Sequence, residues 1–413
     1  MKNKLIALLF ILASTTFYAQ YWEPQVSGVN ANLNDVHCIT EDNVIIVGSG
    51  GTILKTTDGG AHWIQKPSGT TNDLEKVQFI NLNVGYAIGW GGTILKSTDG
   101  GENWISITTD FTTGLTGLSV LNENTFYISG DNGLIKRTND AGVTFIDQSY
   151  ATTFPINTIQ FLNEQVGYAS SYDPYGNSNN NVFIKTLDGG ATWISNPNQY
   201  INSFYFLNEN VGFIRDGGGI YKTTDGGINL IYIGTTGQIN ADIFSLNENV
   251  VWYVENSYAL CGCSYFCINK IDLNQAPELQ QATYCYSDTN GDSAFKAIHF
   301  ASETKGYAVG EWGKILKNST GIMESMATKD FTKEDFAKIY PNPASNQITI
   351  SFLEKQTLPF EIEITDSLGK LIFSKSYENQ NDTKMNIESF SNGIYLIKII
   401  TNQGKSVQKI IKE

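Results

Sequence analysis

Residues 74–104 read LEKVQFINLNVGYAIGWGGTILKSTDGGENW, and this stretch decides the fold. It contains three short apolar runs, at residues 77–79, 85–89 and 93–96, and a fourth run begins at Trp104. Glycine, asparagine and aspartate separate the runs, which is typical of short antiparallel strands joined by tight turns. The stretch therefore predicts one four-stranded β-unit.

The same unit recurs along the chain. Its most constant part is an aspartate followed by glycine and, five residues after the aspartate, by an aromatic residue or leucine. The aspartates are 41, 41, 48 and 37 residues apart, and two weaker units follow at residues 243–285 and 295–321. Seven units of this kind predict an all-β fold, a seven-bladed β-propeller over residues 20–321.

The seventh unit lacks a fourth strand, because its pattern stops at Lys317. At the other end of the chain, Trp22 precedes the first unit just as Trp63 precedes the second. We therefore expect the N-terminal strand around Trp22 to complete blade seven and to close the ring, which leaves no open sheet edge. An open solenoid is the alternative.

The repeated turn has a physical role of its own. Aspartate accepts backbone hydrogen bonds within a tight turn, glycine supplies positive φ, and the following aromatic residue packs between blades. We expect these residues to be structural, and to lie on the face opposite to the loops between second and third strands. They are Asp58, Gly60, Trp63, Asp99, Gly101, Trp104, Asp140, Gly142, Phe145, Asp188, Gly190, Trp193, Asp225 and Gly227.

The N-terminus and the charge of the chain limit its functions. A basic start at Lys2, an apolar run over residues 5–13 and the small residue Ala19 predict a signal peptide, residues 1–19, cleaved near Ala19. No later run is long enough to span a bilayer, so we expect no transmembrane segment. The net charge is −14, and its acidic excess lies in residues 20–321, so nucleic acid is excluded as a partner.

The repeat resembles a known class of propellers. Its pattern of Val-x-Phe, Gly-Tyr-Ala-x-Gly, Gly-Thr-Ile-Leu-Lys and Asp-Gly-Gly-x-x-Trp is similar to that of the photosystem II stability and assembly factor-like propellers. These belong to the wider Asp-box (BNR) repeat families, which include sialidases and some endoglucanases. The resemblance implies the fold rather than the function, because function depends on loops and sites.

Short alternating strands predict a small β-sandwich over residues 340–413, and the polar residues 322–339 predict a linker. The C-terminal residues also contain four landmarks in a fixed order: Tyr340-Pro-Asn-Pro343, Asp366-Ser-Leu-Gly369, Asn392-Gly-Ile-Tyr395 and Gly404-Lys405. In these landmarks the segment resembles a second family, the C-terminal sorting domain of the type IX secretion system of Bacteroidetes. The resemblance implies that the type IX secretion machinery is a partner, and that the chain is exported through the periplasm to the cell surface or the medium.

Enzymatic activity is uncertain, and we expect none. Sialidases of the usual type hold the substrate carboxylate with three arginines, whereas this chain has only Arg137 and Arg215. Assembly of photosystem II is not expected either, because the basic patch of that family has no counterpart on an acidic propeller. A glycoside hydrolase needs two carboxylates roughly 5–9.5 Å apart. The candidates are Asp131, Asp173, Glu255, Asp292 and Glu311.

We predict no cofactor and no metal. His37 and His299 occupy equivalent first-strand positions in neighbouring blades, where polar residues beside the central channel explain them better than a metal site does. Residues 288–292, DTNGD, resemble the start of a calcium loop. The closing acid is missing because the twelfth position is His299, so we expect a turn.

The cysteines of an exported chain are expected to oxidise. If the turn between the third and fourth strands of unit six lies near Asn274, Cys263 and Cys285 stand at similar heights, so we expect the pairs Cys263–Cys285 and Cys261–Cys267. A zinc site is the alternative, although the spacing is not that of a zinc knuckle. The fifth cysteine, Cys38, is expected to be a buried free thiol.

The features that vary between units lie on the face of the loops between second and third strands. Exposed aromatic residues beside acids suit a glycan, a peptide or a protein ligand, with ordinary covering of turns as the alternative. We therefore expect a secreted or cell-surface, monomeric binding protein; the second hypothesis is a secreted Asp-box glycoside hydrolase. The candidate ligand-binding residues are Trp90, Trp312, Tyr172, Tyr175, Asp131 and Glu311.

Overall fold

The fold is that of a computed structural model, in which two compact units divide the chain after residue 324. The predicted signal peptide, Tyr172, Tyr175, Cys261, Cys263 and residues 288–292 lie outside the described residues. The described residues are 22–171, 182–195, 201–216, 218–236, 242–258, 264–275, 280–286, 294–319, 337–352, 360–366, 371–377, 382–401 and 404–413.

The described part of the first unit forms seven four-stranded antiparallel sheets, and each sheet is one blade. The first strand of every blade lines a central channel, and the fourth strand is outermost. The strands of blades 1 to 3 are Leu33–Cys38, Val44–Gly48, Thr52–Thr56 and Ile64–Lys66; Leu74–Phe79, Gly85–Gly89, Thr93–Ser97 and Ile105–Ser106; Leu115–Val120, Phe126–Gly130, Ile135–Thr138 and Ile146–Asp147.

The strands of blades 4 to 6 follow the same order. They are Ile156–Phe161, Gly167–Ser171, Val182–Thr186 and Ile194–Ser195; Ile201–Phe206, Gly212–Asp216, Gly219–Thr223 and Ile231–Thr235; Ile243–Asn247, Val250–Tyr258, Ser264–Asp272 and Gln281–Tyr286.

Blade 7 is built from both ends of the unit. Its inner strands are Phe295–Phe300, Gly306–Gly310 and Ile315–Asn318, and its outer strand is the N-terminal Glu23–Gln25. Glu23 pairs with Lys317 in antiparallel register. The predicted seven-bladed propeller closed by its N-terminal strand is therefore confirmed.

Trp22 secures this closure. Its side chain is fully buried, and its ring meets the rings of Trp252 in blade 6 and Phe300 in blade 7 edge-on, with centroids 6.0 Å apart in both pairs. Neighbouring blades cover both sides of each sheet, so second strands such as Val44–Gly48 and Gly85–Gly89 are buried along their whole length. Trp22 thus belongs to the core cluster between blades 6 and 7.

The repeated aspartate turns fold alike. Asp58 accepts hydrogen bonds through Oδ1 from the hydroxyl of Thr56 at 2.8 Å and from the backbone N–H of His62 at 2.9 Å. Gly60 has φ 88° and donates its N–H to the same threonine hydroxyl at 2.9 Å. The same pattern recurs at Asp99, Asp140, Asp188 and Asp225.

These turns define the two faces of the ring. Gly59 donates its N–H to the carbonyl of Asp42, which lies in the turn between the first and second strands, so both turns share one face. We call this face, with the aspartate turns, the lower face. The upper face carries the turns between second and third strands and the connections between blades.

The second unit is a small β-sandwich, as predicted. Its described strands form one three-stranded and one four-stranded sheet around a core that includes Ile348, Ile362 and Ile397. The first strand begins at Ala337, so residues 337–339 extend a sheet rather than the linker to which we assigned them. The strands are Ala337–Tyr340, Gln347–Phe352, Phe360–Asp366, Leu371–Tyr377, Asp382–Asn386, Gly393–Thr401 and Gly404–Lys412.

A search for membrane spans within the described ranges finds no helix that is both long and apolar enough to cross a bilayer.

The closing strand predicts a large effect of one substitution. Trp22→Ala should lower the free energy of unfolding by about 3–5 kcal/mol, because it empties a fully buried site between blades 6 and 7. The matched control is Val26→Ala, at a residue that is 88% exposed. This substitution should change the free energy of unfolding by less than about 0.5 kcal/mol. Urea unfolding measures both, and equal losses would contradict closure by Trp22.

Candidate functional site

Four upper-face turns share one conformation. In each, a three-residue 3-10 turn joins the second and third strands, and its middle residue has a left-handed φ of 57–66°. In three of the turns the third residue donates its N–H to the connection between blades: Gly92 to Thr113 at 2.8 Å, Gly133 to Phe154 at 3.0 Å and Gly313 to Ala31 at 2.8 Å. The turns are Ser49–Gly51, Trp90–Gly92, Asp131–Gly133 and Glu311–Gly313.

Trp312 is an unusual residue for its position in these turns. It occupies the middle, left-handed position with φ 58°, where the other blades have Gly50, Gly91 and Asn132. A left-handed backbone costs an ordinary residue roughly 1–2 kcal/mol, and a bulky residue there is rare. The side chain is 69% exposed, so burial does not offset this cost. Strain held at an exposed position points to a functional constraint.

Trp90 lies on the same face in blade 2, at the first position of its turn. Its indole N–H donates to Glu75 Oε1 at 2.8 Å, and half of the side chain is exposed. The ring lies against Gly114, where an added Cβ would come within 3.2 Å of it. A glycine in the neighbouring blade thus makes room for this tryptophan.

Blade 1, between the blades of the two tryptophans, presents small residues. A Cβ at Gly50 would meet nothing within 4 Å, so the surface above this turn is open. An open cavity of about 590 Å³ lies beside it, lined by Gly50, Gly51, Lys66 and residues 67–71. The upper face of blades 7, 1 and 2 therefore has two exposed indoles, and between them lies an open, polar surface formed by the small residues of blade 1.

The two candidate acids of this face brace the scaffold. Asp131 Oδ2 accepts the backbone N–H of Gly114 at 3.0 Å, and Glu311 Oε2 accepts that of Ala294 at 3.3 Å. Each carboxylate thus bonds to the backbone of the connection that leads into its own blade. They stand on blades 3 and 7, separated by blades 1 and 2 on the shorter way round the ring.

Glu255, the remaining candidate acid in the described part of the chain, is hydrogen-bonded within the ring. Glu255 accepts a hydrogen bond from Thr236 Oγ1 at 3.3 Å, and this hydroxyl in turn accepts one from Arg215 Nε at 3.0 Å. Arg215 is completely buried, so this network belongs to the packing of blades 5 and 6. Asp173 and Asp292 lie outside the described residues.

Arg137 is also part of the packing between blades. Its guanidinium lies over the ring of Tyr127, 5.5 Å from the centroid, and 3.8 Å from a carboxylate oxygen of Glu164. The two arginines of the chain therefore lie in separate inter-blade contacts. This agrees with the exclusion of a sialidase that was based on the number of arginines.

A central channel of about 410 Å³ is the second candidate site. The first strands have a β-bulge at their second residue in six blades, between Phe295 and Ala297 in blade 7 for example. Bulges redirect side chains and are frequent beside functional sites. Three of the charged residues that line the channel, Asp35, Lys76 and Lys296, lie at these bulges or directly after them.

Among the residues that the structure describes, four charged side chains line the channel, on blades 6, 7, 1 and 2. Asp35 and Lys76 form an ion pair at 3.3 Å. Burial raises the pKa of Asp35 to about 6; the negative charges of Asp35 and Asp242 raise the pKa of Lys76 although burial opposes this. Lys296 donates to Asn34 Oδ1 at 3.1 Å. The described channel-lining residues of blades 3 to 5 are uncharged.

Polar side chains next to the channel also bond the blades to one another. The backbone N–H of Val120 donates to Gln78 Oε1 and that of Phe206 donates to Gln160 Oε1, each at 2.8 Å. In both pairs the fifth residue of a first strand bonds to the backbone of the next blade. This pattern makes the polar residues of the first strands part of the ring's construction.

His37 and His299 take the same position in blades 1 and 7. Their rings lie 4.6 Å apart, and His299 Nδ1 accepts the backbone N–H of Cys38 at 3.3 Å. Burial lowers the pKa of His37 to about 4, and burial and the charge of His37 lower that of His299. The described residues contain no group of three or more His, Cys, Asp or Glu side chains that could hold a metal.

The cysteines of blade 6 have a different register from the expected one. Cys285 faces Cys267, not Cys263, because the turn between the third and fourth strands is centred two residues beyond Asn274. The pairing of the four cysteines stays a prediction, and the register favours Cys267–Cys285. Cys38 is a buried free thiol, as expected, and burial raises its pKa.

The charged lining of the channel was missed by sequence reasoning. Its signal is present in the sequence, since Asp35, Lys76 and Lys296 fall in first strands and Asp242 directly precedes one. A bulge breaks the two-residue alternation of a strand, so the sequence alone does not tell which of these side chains turn inward.

Family models match part of the first unit and most of the second. Residues 14–112 match the family model of the photosynthesis system II assembly factor YCF48, and residues 338–413 match the secretion system C-terminal sorting domain. Both predicted resemblances are confirmed. No curated protein matches the chain.

Solved structures resemble the first unit in fold. YCF48 bound to D1 peptide matches with a TM-score of 0.55 and 18% identity over 73% of this chain and 97% of that one. YCF48 from Cyanidioschyzon merolae matches with a TM-score of 0.55 and 18% identity over 72% and 98%. The WD40 repeats of RRP9 match with a TM-score of 0.54 and 11% identity over 72% and 97%.

The buried histidines predict how stability depends on pH. Their folded pKa values lie below the ordinary 6.5, so their stabilisation is present above pH 6.5 and is lost as the pH falls towards about 4. Asp35 acts in the opposite direction below about pH 6, because its folded pKa is raised.

Replacing both histidines should flatten this dependence. Glutamine is the residue of blades 2 and 4 at this position, so His37→Gln with His299→Gln can keep the inter-blade bonds without a titrating group. Between pH 7 and 4.5 the wild type should lose on the order of 2–3 kcal/mol more stability to urea than the variant. His62→Gln, at an exposed histidine, is the control and should change the slope less. Equal slopes for wild type and double variant would contradict this role.

Proposed function

We propose that this chain is an exported, non-enzymatic propeller that binds a polypeptide on the upper face of blades 7, 1 and 2. One observation carries the proposal: Trp312 is held in a left-handed conformation with 69% of its side chain exposed. An exposed indole at a strained position stabilises nothing in the free protein that a glycine would not. A ligand that covers the ring would bury the indole and so offset the cost of the strained backbone.

The chemistry of this face suits a polypeptide. Exposed tryptophans are frequent anchors of protein interfaces, because they bury a large area and retain an N–H donor. The open surface above Gly50 leaves space for an extended segment between the two indoles. A solved propeller of this fold is described as bound to a D1 peptide, so the scaffold is compatible with a polypeptide ligand. A glycan that stacks on the indoles is the other outcome to test.

The location follows from the second unit. A secretion system sorting domain at the C-terminus supports export to the cell surface or the medium. We propose that the type IX secretion machinery recognises this domain, that the signal peptide is cleaved near Ala19, and that residues 322–336 link the units. Export to an oxidising compartment would let the cysteines of blade 6 form disulfides.

A hydrolase gains little support from the described acids. Asp131 and Glu311 each accept a backbone N–H, and they stand on blades that are not adjacent. Glycoside hydrolysis needs two carboxylates that flank one bond. Binding therefore accounts for this face better than hydrolysis does.

Two substitutions test the proposal on the full-length exported chain. Trp312→Gly should leave the free energy of unfolding unchanged or raise it by up to about 1 kcal/mol, because glycine fits a left-handed position. The same change and Trp90→Ala should each weaken binding of peptides selected from a random display library about tenfold or more. Calorimetric titration measures binding, and urea unfolding measures stability.

Two further variants serve as controls. Asn132→Gly makes the equivalent change in blade 3, and Tyr232→Ala removes an exposed aromatic side chain from an outer strand. Both should bind like the wild type. The proposal fails if the two tryptophan variants bind every selected peptide as well as the wild type does. Hydrolysis of a polysaccharide that is lost on changing one upper-face acid would instead establish the enzyme.

A further inference from the structure

We propose that the central channel is a second binding site, and that its ligand is a small zwitterion with one ammonium and one carboxylate group, such as a free amino acid. This site is separate from the upper-face site proposed above. The channel measures about 410 Å³, which is in the range of small-molecule pockets. Its charged side chains occur in equal numbers of each sign, Asp35 and Asp242 against Lys76 and Lys296.

Asp242 provides the position for the ammonium group. Its Oδ2 accepts the backbone N–H of Ile298 at 3.2 Å, and its side chain is half-buried, so its carboxylate is accessible from the channel. Tyr205 and Phe244 line the same channel, with ring centroids 5.0 Å apart. Aromatic faces beside a carboxylate attract an ammonium ion both by charge and by cation–π interaction.

Lys296 provides the position for the carboxylate. Its ammonium donates to the side-chain oxygen of Asn34 at 3.1 Å, an uncharged partner, and the side chain is half-buried. Lys76, in contrast, is already paired with Asp35. Lys296 is the extra residue of the bulge in the first strand of blade 7, a device that redirects side chains.

The two positions are close to each other in space. Asp242 bonds to Ile298, and Lys296 lies two residues before Ile298 on the same strand, a separation of about 7 Å between Cα atoms. Long side chains can therefore direct opposite charges at the two ends of one small molecule. A simple cation would be repelled by Lys296 and a simple anion by Asp242, so the arrangement selects a molecule that carries both charges.

Calorimetric titration of the full-length chain tests this site. The probes are glycine and 4-aminobutanoate, zwitterions with a short and a long separation of charge, and ethylamine and acetate, which carry one charge each. At least one zwitterion should bind saturably, and at least tenfold more tightly than either single-charge compound. No saturable binding, or equal binding of zwitterions and single-charge compounds, would overturn the proposal.

Variants locate the site. Asp242→Asn keeps a side-chain oxygen for Ile298, and Lys296→Met keeps most of the side-chain length, so both should fold; each should weaken zwitterion binding about tenfold or more. The matched controls outside the channel are Glu303→Gln and Lys222→Met, and they should bind normally. Unchanged affinity in both channel variants would overturn the proposal. Trp312→Gly should not affect this binding, which separates failure here from failure of the upper-face site.

Discussion

The pairing of Glu23–Gln25 with Ile315–Asn318 is the constraint on which the rest of the first unit depends. A propeller has no core of its own, because each sheet is buried only by its neighbours, so an incomplete blade exposes both an edge and two apolar surfaces. Trp22 packs its indole edge-on against Trp252 and Phe300, and the same cluster contains Phe244 and Ile298 of the adjoining first strands. The residue that closes the outer edge of blade 7 therefore shares a core cluster with residues that line the channel.

The two faces of the ring use the same backbone pattern for different ends. On the lower face, the aspartate turns have fixed chemistry: Asp58 and its counterparts accept local hydrogen bonds, and hydrogen bonds with threonine and His62 hold the pKa of Asp58 far below its usual range. On the upper face, the 3-10 turns need only a residue that tolerates a left-handed φ and a bond to the next blade. The first residue of the turn varies, and in blade 2 it is Trp90; in blade 7, Trp312 occupies the left-handed position itself. Repetition therefore indicates scaffold, and departure from it indicates where function can lie.

The sequence was sufficient for the fold and only partly for the sites. The five aspartate turns and two weaker units predicted seven blades, and the missing fourth strand after Lys317 predicted closure by Trp22, because every blade must have the same four strands. The sequence also placed Trp90 and Trp312 at upper-face turns, but not the strained backbone of Trp312, which follows from its position within the 3-10 turn. Two features of the structure could not be predicted from the sequence, each for a physical reason. The register of blade 6 depends on the length of a turn without an aspartate motif, so Cys285 faces Cys267. The lining of the channel depends on bulges, which break the alternation used to assign the inward side of a strand.

Hydrogen exchange of the closing blade tests the central claim most directly. Backbone amides of Ile315–Asn318 should be protected in the mature chain, because Glu23–Gln25 pairs with them and Trp22 covers the core beside them. In a chain that begins at Ser27, the account predicts that this protection falls further than that of Thr93–Ser97 in blade 2, whose outer strand Ile105–Ser106 is intact. Equal protection of Ile315–Asn318 in the mature and shortened chains would contradict closure of the ring by the N-terminal strand.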